Sequence, residues 1–194
     1  RSGGEHIVAY TYLSQRSGDA HAVAKALAQI GNAGTWSHLP PISAIVASPI
    51  QRTLDTANIL SNQLNLGVST NANIAEISFG DWDGHTNEEV RAKWPELTES
   101  WRGSWEVSPP NGESLEVFDR RVQTGLDEIL EAHAGKTVAV VSHVMPIRGV
   151  IKTAMESGPS AYWRPQISPC SISIIRFWGR QAAEVICLNS TSHL

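Results

Sequence analysis

The sequence predicts an α/β fold, a three-layer α/β/α sandwich built on a mostly parallel sheet. Short, β-branched apolar runs recur at 42–48 (ISAIVAS) and 137–142 (TVAVVS), as expected of strands buried on both faces. Stretches of helical composition stand between such runs. Strand and helix alternate along most of the 194 residues, an order that puts helices on both sides of a sheet and collects ligands beyond its carboxyl edge.

Each element has its own warrant. A strand is expected at 6–13 (HIVAYTYL), then a Gly/Ser turn, then a helix at 20–30, where AHAVAKALAQI is rich in strong helix formers. A loop with Gly34, Pro40 and Pro41 leads into the run at 42–48. Helices fit at 49–65, 87–94, 115–133 and 146–156; strands fit at 172–178 and 183–188, where SISIIRFW alternates before a turn at Gly179. The stretch 101–114, with Trp101, Trp105, Pro109, Pro110 and Gly112, reads as a long surface excursion of the lid-like kind. Trp101 and Trp105 are candidates to line a substrate cleft, while Trp82, Trp163 and Trp178 read as core or rim aromatics. The whole chain, 1–194, reads as one domain.

Composition narrows the function. The net charge is -4 and no run of Lys or Arg stands out, which argues against a sequence-independent grip on nucleic acid but leaves room for a local cationic pocket. Cys170 and Cys187 lack any C-x-x-C spacing and are expected to be buried free thiols. No apolar stretch reaches membrane-span length and no leader pattern opens the chain, so a cytoplasmic protein is expected.

Three residues carry candidate chemistry. In ASPIQRTLDTA (47–57), Ser48 is expected to cap a helix, Pro49 to take its first position and Gln51 to close a capping box. Arg52 then falls in the first turn, where the helix dipole disfavours a cation. Either Arg52 pairs with Asp55, or a bound anion reverses the balance. VAVVSHVMPIRGVIK (138–152) repeats the pattern, with His143 at a strand's carboxyl end and Pro146 near a new helix start. Two such corners can face one pocket and share an anion. Glu76, in AEISFGDWDGHT (75–86), would have its pKa raised by both charge and burial if it lay near a bound phosphate, as a general acid requires, or is a surface carboxylate ahead of a turn.

Taken together, SPIQRTLDTA, EISFGDWDG, PNGES (110–114) and VVSHVMPI resemble the histidine phosphatase, or phosphoglycerate-mutase-like, superfamily. The likeness runs from about residue 42 to the end and is greatest to the phosphatase domain that actinobacteria carry behind a ribonuclease H domain, related to α-ribazole phosphatases. The resemblance implies a phosphatase acting through a phosphohistidine on a small phosphorylated metabolite, with no metal or other cofactor. It implies Arg52 and His143 as phosphate-binding residues, His143 as stabiliser of the transferring phosphoryl group, and Glu76 as proton donor. It also implies a possible fused or partner ribonuclease H domain; a mutase and a non-catalytic phospho-ligand module are the rival activities.

One motif departs from the family pattern. Members carry an R-H-G triplet after the first strand, with the nucleophilic histidine; this chain opens Arg1-Ser2-Gly3-Gly4-Glu5-His6 and has no such triplet. The Leu-Thr-x-x-Gly stretch before the first helix is missing too. Three readings stay open: a segment lacking near residues 1–20, an anion pocket kept without turnover, or replacement by His6 or His21. No residue is assigned as nucleophile.

Overall fold

The computed structural model describes residues 6–12, 19–180 and 182–194. Its strands are β1 (His6–Tyr12), β2 (Ile42–Ala47), β3 (Val68–Thr70), β4 (Thr137–Ser142), β5 (Ile172–Phe177) and β6 (Ala183–Ser190). Its α-helices are α1 (Ala20–Ala28), α2 (Gln51–Leu64), α3 (Asn87–Lys93), α4 (Pro95–Gly103), α5 (Leu115–Ala132) and α6 (Val144–Ala154). The sheet runs β3-β2-β4-β1-β5-β6. Its first four strands are parallel, and β5 and β6 each run antiparallel to the strand before them in that order. The expected three-layer α/β architecture is therefore present.

Alternation along the strands sorts the core into two halves. Val8, Tyr10, Val46, Val138 and Val140 face Phe118, Val122, Leu126, Ile147 and Val150 of α5 and α6. Ile7, Ala9, Ile45, Ala47, Ala139 and Val141 face Val23, Leu27, Ala57 and Leu60 of α1 and α2. Each large aliphatic side chain so buried contributes roughly 1.5–3 kcal/mol. Asp19 caps α1 by accepting the His21 and Ala22 amides, and Ser114 caps α5 through the Val117 amide.

Several local expectations need correction. The N-cap of α2 is Ile50, without a side-chain cap, so Ser48 does not cap it and Gln51 closes no capping box; Gln51 donates to Asp55 instead. α6 starts at Val144, earlier than 146, because Pro146 lies in its first turn, where its missing N–H costs nothing. β3 and α4 were not foreseen: β3 is three residues of mixed polarity, and Pro95, which looks like a breaker, opens α4 at its first position. Trp101 accordingly sits on α4 with 6 % of its surface exposed, not on a surface excursion. The cysteines are free, but only Cys170 is fully buried; Cys187 lies on the edge strand β6 and is partly exposed. The Gly/Ser turn expected after β1 and the opening residues 1–5 lie outside the described residues.

Candidate active site

The two corners singled out in the sequence converge. β2 and β4 are adjacent and parallel, and where both leave the sheet the Ser48 amide donates to the Val141 carbonyl at 2.9 Å. Arg52, in the first turn of α2, and His143, the N-cap residue of α6, thereby meet, with Arg52 Nη2 2.8 Å from His143 Nδ1. The expected alternative, an Arg52–Asp55 pair, does not form, since Asp55 accepts from Gln51.

Chemistry assigns the imidazole's tautomer. A guanidinium can only donate, so Nδ1 is the acceptor and the proton resides on Nε2, which donates to Ser48 Oγ at 2.8 Å. His143 is 1 % exposed. Burial, with the nearby positive charges of Arg52 and Arg121, pushes its pKa down to about 3, so the ring is neutral at ordinary pH.

Glu76 comes to the same end of the sheet. Burial raises its carboxyl to about 7, against the opposing pull of the Ile77 and Met145 amides and of Arg52 and Arg121. Met145 is two residues beyond His143, so Glu76 is tied to the amino end of α6. Ser142 Oγ donates to the Ile74 carbonyl at 2.7 Å, holding the end of β4 against the segment that leads to Glu76.

Arg121 organises that segment, and the sequence reading missed it. Its guanidinium, from α5, donates to the carbonyls of Asn73, Ala75 and Glu76 at 2.8–2.9 Å and grips both oxygens of Glu113 at 2.7 and 2.8 Å. Glu113 in turn accepts the Ser78 amide at 2.8 Å. The motifs EISFGDWDG and PNGES thus pack on each other through one cation. At Gly80 the fit forbids a side chain: its φ is +55° and a Cβ would lie 2.2 Å from the Pro110 carbonyl. An arginine two turns into the helix that follows a Gly-Glu-Ser turn is the signal that could have found Arg121.

Among the described residues the end of β1 offers no counterpart. Register pairs Thr11 with Val141 and Tyr12 with Ser142, so β1 ends level with the Arg52–His143 corner. Thr11 Oγ1 and Tyr10 Oη are buried without a hydrogen-bond partner. His6 starts β1 one residue before the Ile7–Thr137 pair, so its backbone lies about 20 Å from the carboxyl edge. His21 lines a separate cleft with Asp19, Lys25 and His193. Among the described residues no group of three His, Cys, Asp or Glu side chains is placed to hold a metal, and no helix is long and apolar enough to cross a membrane.

The profile of the histidine phosphatase superfamily (branch 1) matches residues 8–190. The chain belongs to that superfamily. Membership agrees with the expected enzyme class, a phosphatase. The chain is similar to the bifunctional protein Rv2228c of Mycobacterium tuberculosis, 36 % identical over 167 residues, covering 86 % of this chain and 46 % of that protein. It therefore spans about half the length of this relative. Similarity to phosphoserine phosphatase 1 of Hydrogenobacter thermophilus is 34 % over 154 residues, covering 79 % and 72 % of the two chains. Among solved structures, mycobacterial glucosyl-3-phosphoglycerate phosphatase Rv2419c with inorganic phosphate superposes with a TM-score of 0.78 at 17 % identity, over 98 % of this chain and 99 % of that one. A putative α-ribazole-5'-P phosphatase from Escherichia coli superposes at 0.77 and 19 % identity, over 97 % of each. At such identities the superpositions speak for the fold alone.

Proposed function

We propose that this chain, acting as one phosphatase unit, hydrolyses a small organic phosphomonoester through a phosphohistidine, with Arg52 and His143 holding the phosphate and Glu76 as general acid. The observation that carries the reading is the 2.8 Å approach of the Arg52 guanidinium to a neutral, buried imidazole beside a carboxyl that keeps its proton up to about pH 7. A phosphate oxygen taking Arg52's donor frees His143 Nδ1 to take up a proton and donate to a second oxygen, while the cation offsets charge on the equatorial oxygens. As a nitrogen of a second histidine, to which no residue is assigned, bonds to phosphorus, the P–O bond to the organic group breaks and Glu76 protonates the leaving oxygen. Water then attacks phosphorus, the N–P bond breaks, and the Glu76 carboxylate takes the water's proton.

The test is phosphate release from p-nitrophenyl phosphate with chelator present, with acid-quenched and alkaline-quenched samples compared for an acid-labile phosphoprotein. Turnover unchanged in both Arg52→Ala and His143→Ala rules the assignment out. The missing R-H-G triplet favours one second reading, a pocket that binds phospho-ligands without turnover. Vanadate binding with no phosphate release selects it. A requirement for a bisphosphate primer would instead mark a mutase. The bifunctional relative supports a further domain working beside this one; the sequence resemblance suggests a ribonuclease H domain for it.

A further inference from the structure

Arg121 sets a second cation beside the site, but its donors face inward. A guanidinium has five N–H groups. In Arg121 each meets a protein acceptor: Nη1 the Asn73 and Ala75 carbonyls, Nη2 the Glu76 carbonyl and Glu113 Oε2, and Nε Glu113 Oε1. The guanidinium also lies over the Phe118 ring, 4.7 Å from its centroid. Arg121 therefore takes no phosphate oxygen without losing a protein partner. Its charge acts on the site through what it holds in place.

Two glutamates share that one cation, and their carboxyls differ in state. Glu113 forms the bidentate pair with Arg121 and accepts the Ser78 amide at 2.8 Å, while its own amide donates to the Ser78 carbonyl at 2.9 Å. Burial pushes the Glu113 carboxyl up, but the bonds from Arg121 and the Ser78 amide outweigh it and hold the group below the usual carboxylate range. Glu76, two residues before Ser78, is held by its main-chain carbonyl and keeps its proton up to about pH 7. The charges acting on the Glu76 carboxyl are Arg52 from α2 and Arg121 from α5; the α6 corner supplies the Met145 amide and a neutral His143. A cation without its counter-ion favours the carboxylate form of a neighbour, whereas a tight ion pair presents little net charge. We infer that Glu113 is a positioning residue for the general acid: through Arg121 it fixes the Glu76 backbone and cancels the cation's field at the Glu76 carboxyl, a role that rests on Glu76 acting as that acid.

Isotope-edited NMR of the glutamate carboxyl carbons in the full chain, with the Glu76 signal assigned by its loss in Glu76→Gln, tests this without turnover. In Glu113→Gln the Glu76 titration should move down by about one pH unit, and the high-pH limb of p-nitrophenyl phosphate hydrolysis should move with it. Vanadate binding should stay within about twofold of wild type, because Arg52 and His143 are untouched. Glu113→Asp keeps the charge but shortens its reach and should give about half that shift; its result decides if Glu113→Gln does not fold. Glu116→Gln breaks the exposed 2.9 Å pair with Arg120 on the same helix and should change none of these readouts. A Glu76 titration that stays in place or moves up in the folded Glu113 variant, vanadate binding weakened about tenfold or more, or the same shift in Glu116→Gln each overturns the role. Wild-type protein that binds vanadate but releases no phosphate defeats the hydrolase reading instead, and the carboxyl titration is read as before.

Discussion

β2 and β4 deliver chemistry to the carboxyl edge of the sheet; β1, next to β4 in the same parallel array, brings none among the described residues. The first two strands turn directly into α2 and α6, so Arg52 and His143 ride on first turns whose backbones are tied at Ser48 and Val141. β1 ends level with them but brings Thr11, a buried hydroxyl with no partner, and its own histidine, His6, begins the strand at the opposite edge. Parallel pairing makes three strand ends coincide, whereas what each end can do depends on the two or three residues that follow it.

The largest effect expected from breaking this asymmetry is at the two working corners. Arg52→Ala or His143→Ala should reduce vanadate binding and turnover by about 100-fold or more, measured by calorimetry and p-nitrophenyl phosphate release. Glu76→Gln should cost about 100-fold or more in turnover while sparing vanadate binding, since it removes a proton and not an anion contact. The wild-type rate should fall as pH rises through about 7, where Glu76 loses its proton, and that limb should vanish in Glu76→Gln.

Stability should show the same two groups with opposite signs. Glu76 has a folded pKa above its unfolded value, so it costs stability as pH rises from about 4.5 to about 7; Glu76→Gln should raise the unfolding free energy at pH 8 more than at pH 5, by about 2 kcal/mol in denaturant melts. His143 is held below its unfolded value, so stability present above pH 6.5 should drain away as pH falls towards about 3, and less so in His143→Gln. Arg121→Met should destabilise by about 3 kcal/mol, because it leaves Glu113 and three carbonyls without their donor. The smallest change belongs to β1. Thr11→Val should stabilise by about 1 kcal/mol in denaturant melts, because the hydroxyl it removes has no partner.

Most of the strand-helix order was legible because it depends on local signals: β-branched runs buried on both faces, and helix formers between them. Boundaries were less so. Ser48 resembles an N-cap by composition, yet its hydroxyl is taken by His143 Nε2, a partner 95 positions away that no local rule can supply. α4 was hidden behind Pro95, and β3 was too short and polar to stand out. Trp101 looked like a cleft residue in a loop and is a core wall on a helix.

By itself the sequence determined the class of fold, the corners at Arg52 and His143, and the lack of an R-H-G triplet, since all three reside in contiguous residues. Only the tertiary structure decided that Arg52 donates to His143 and not to Asp55, that the ring is neutral, that Glu76 keeps its proton near pH 7, and that Arg121 pins the segment carrying it. Those properties follow from burial and from contacts between residues tens of positions apart, and desolvation and long-range pairing exist only once the chain has closed on itself.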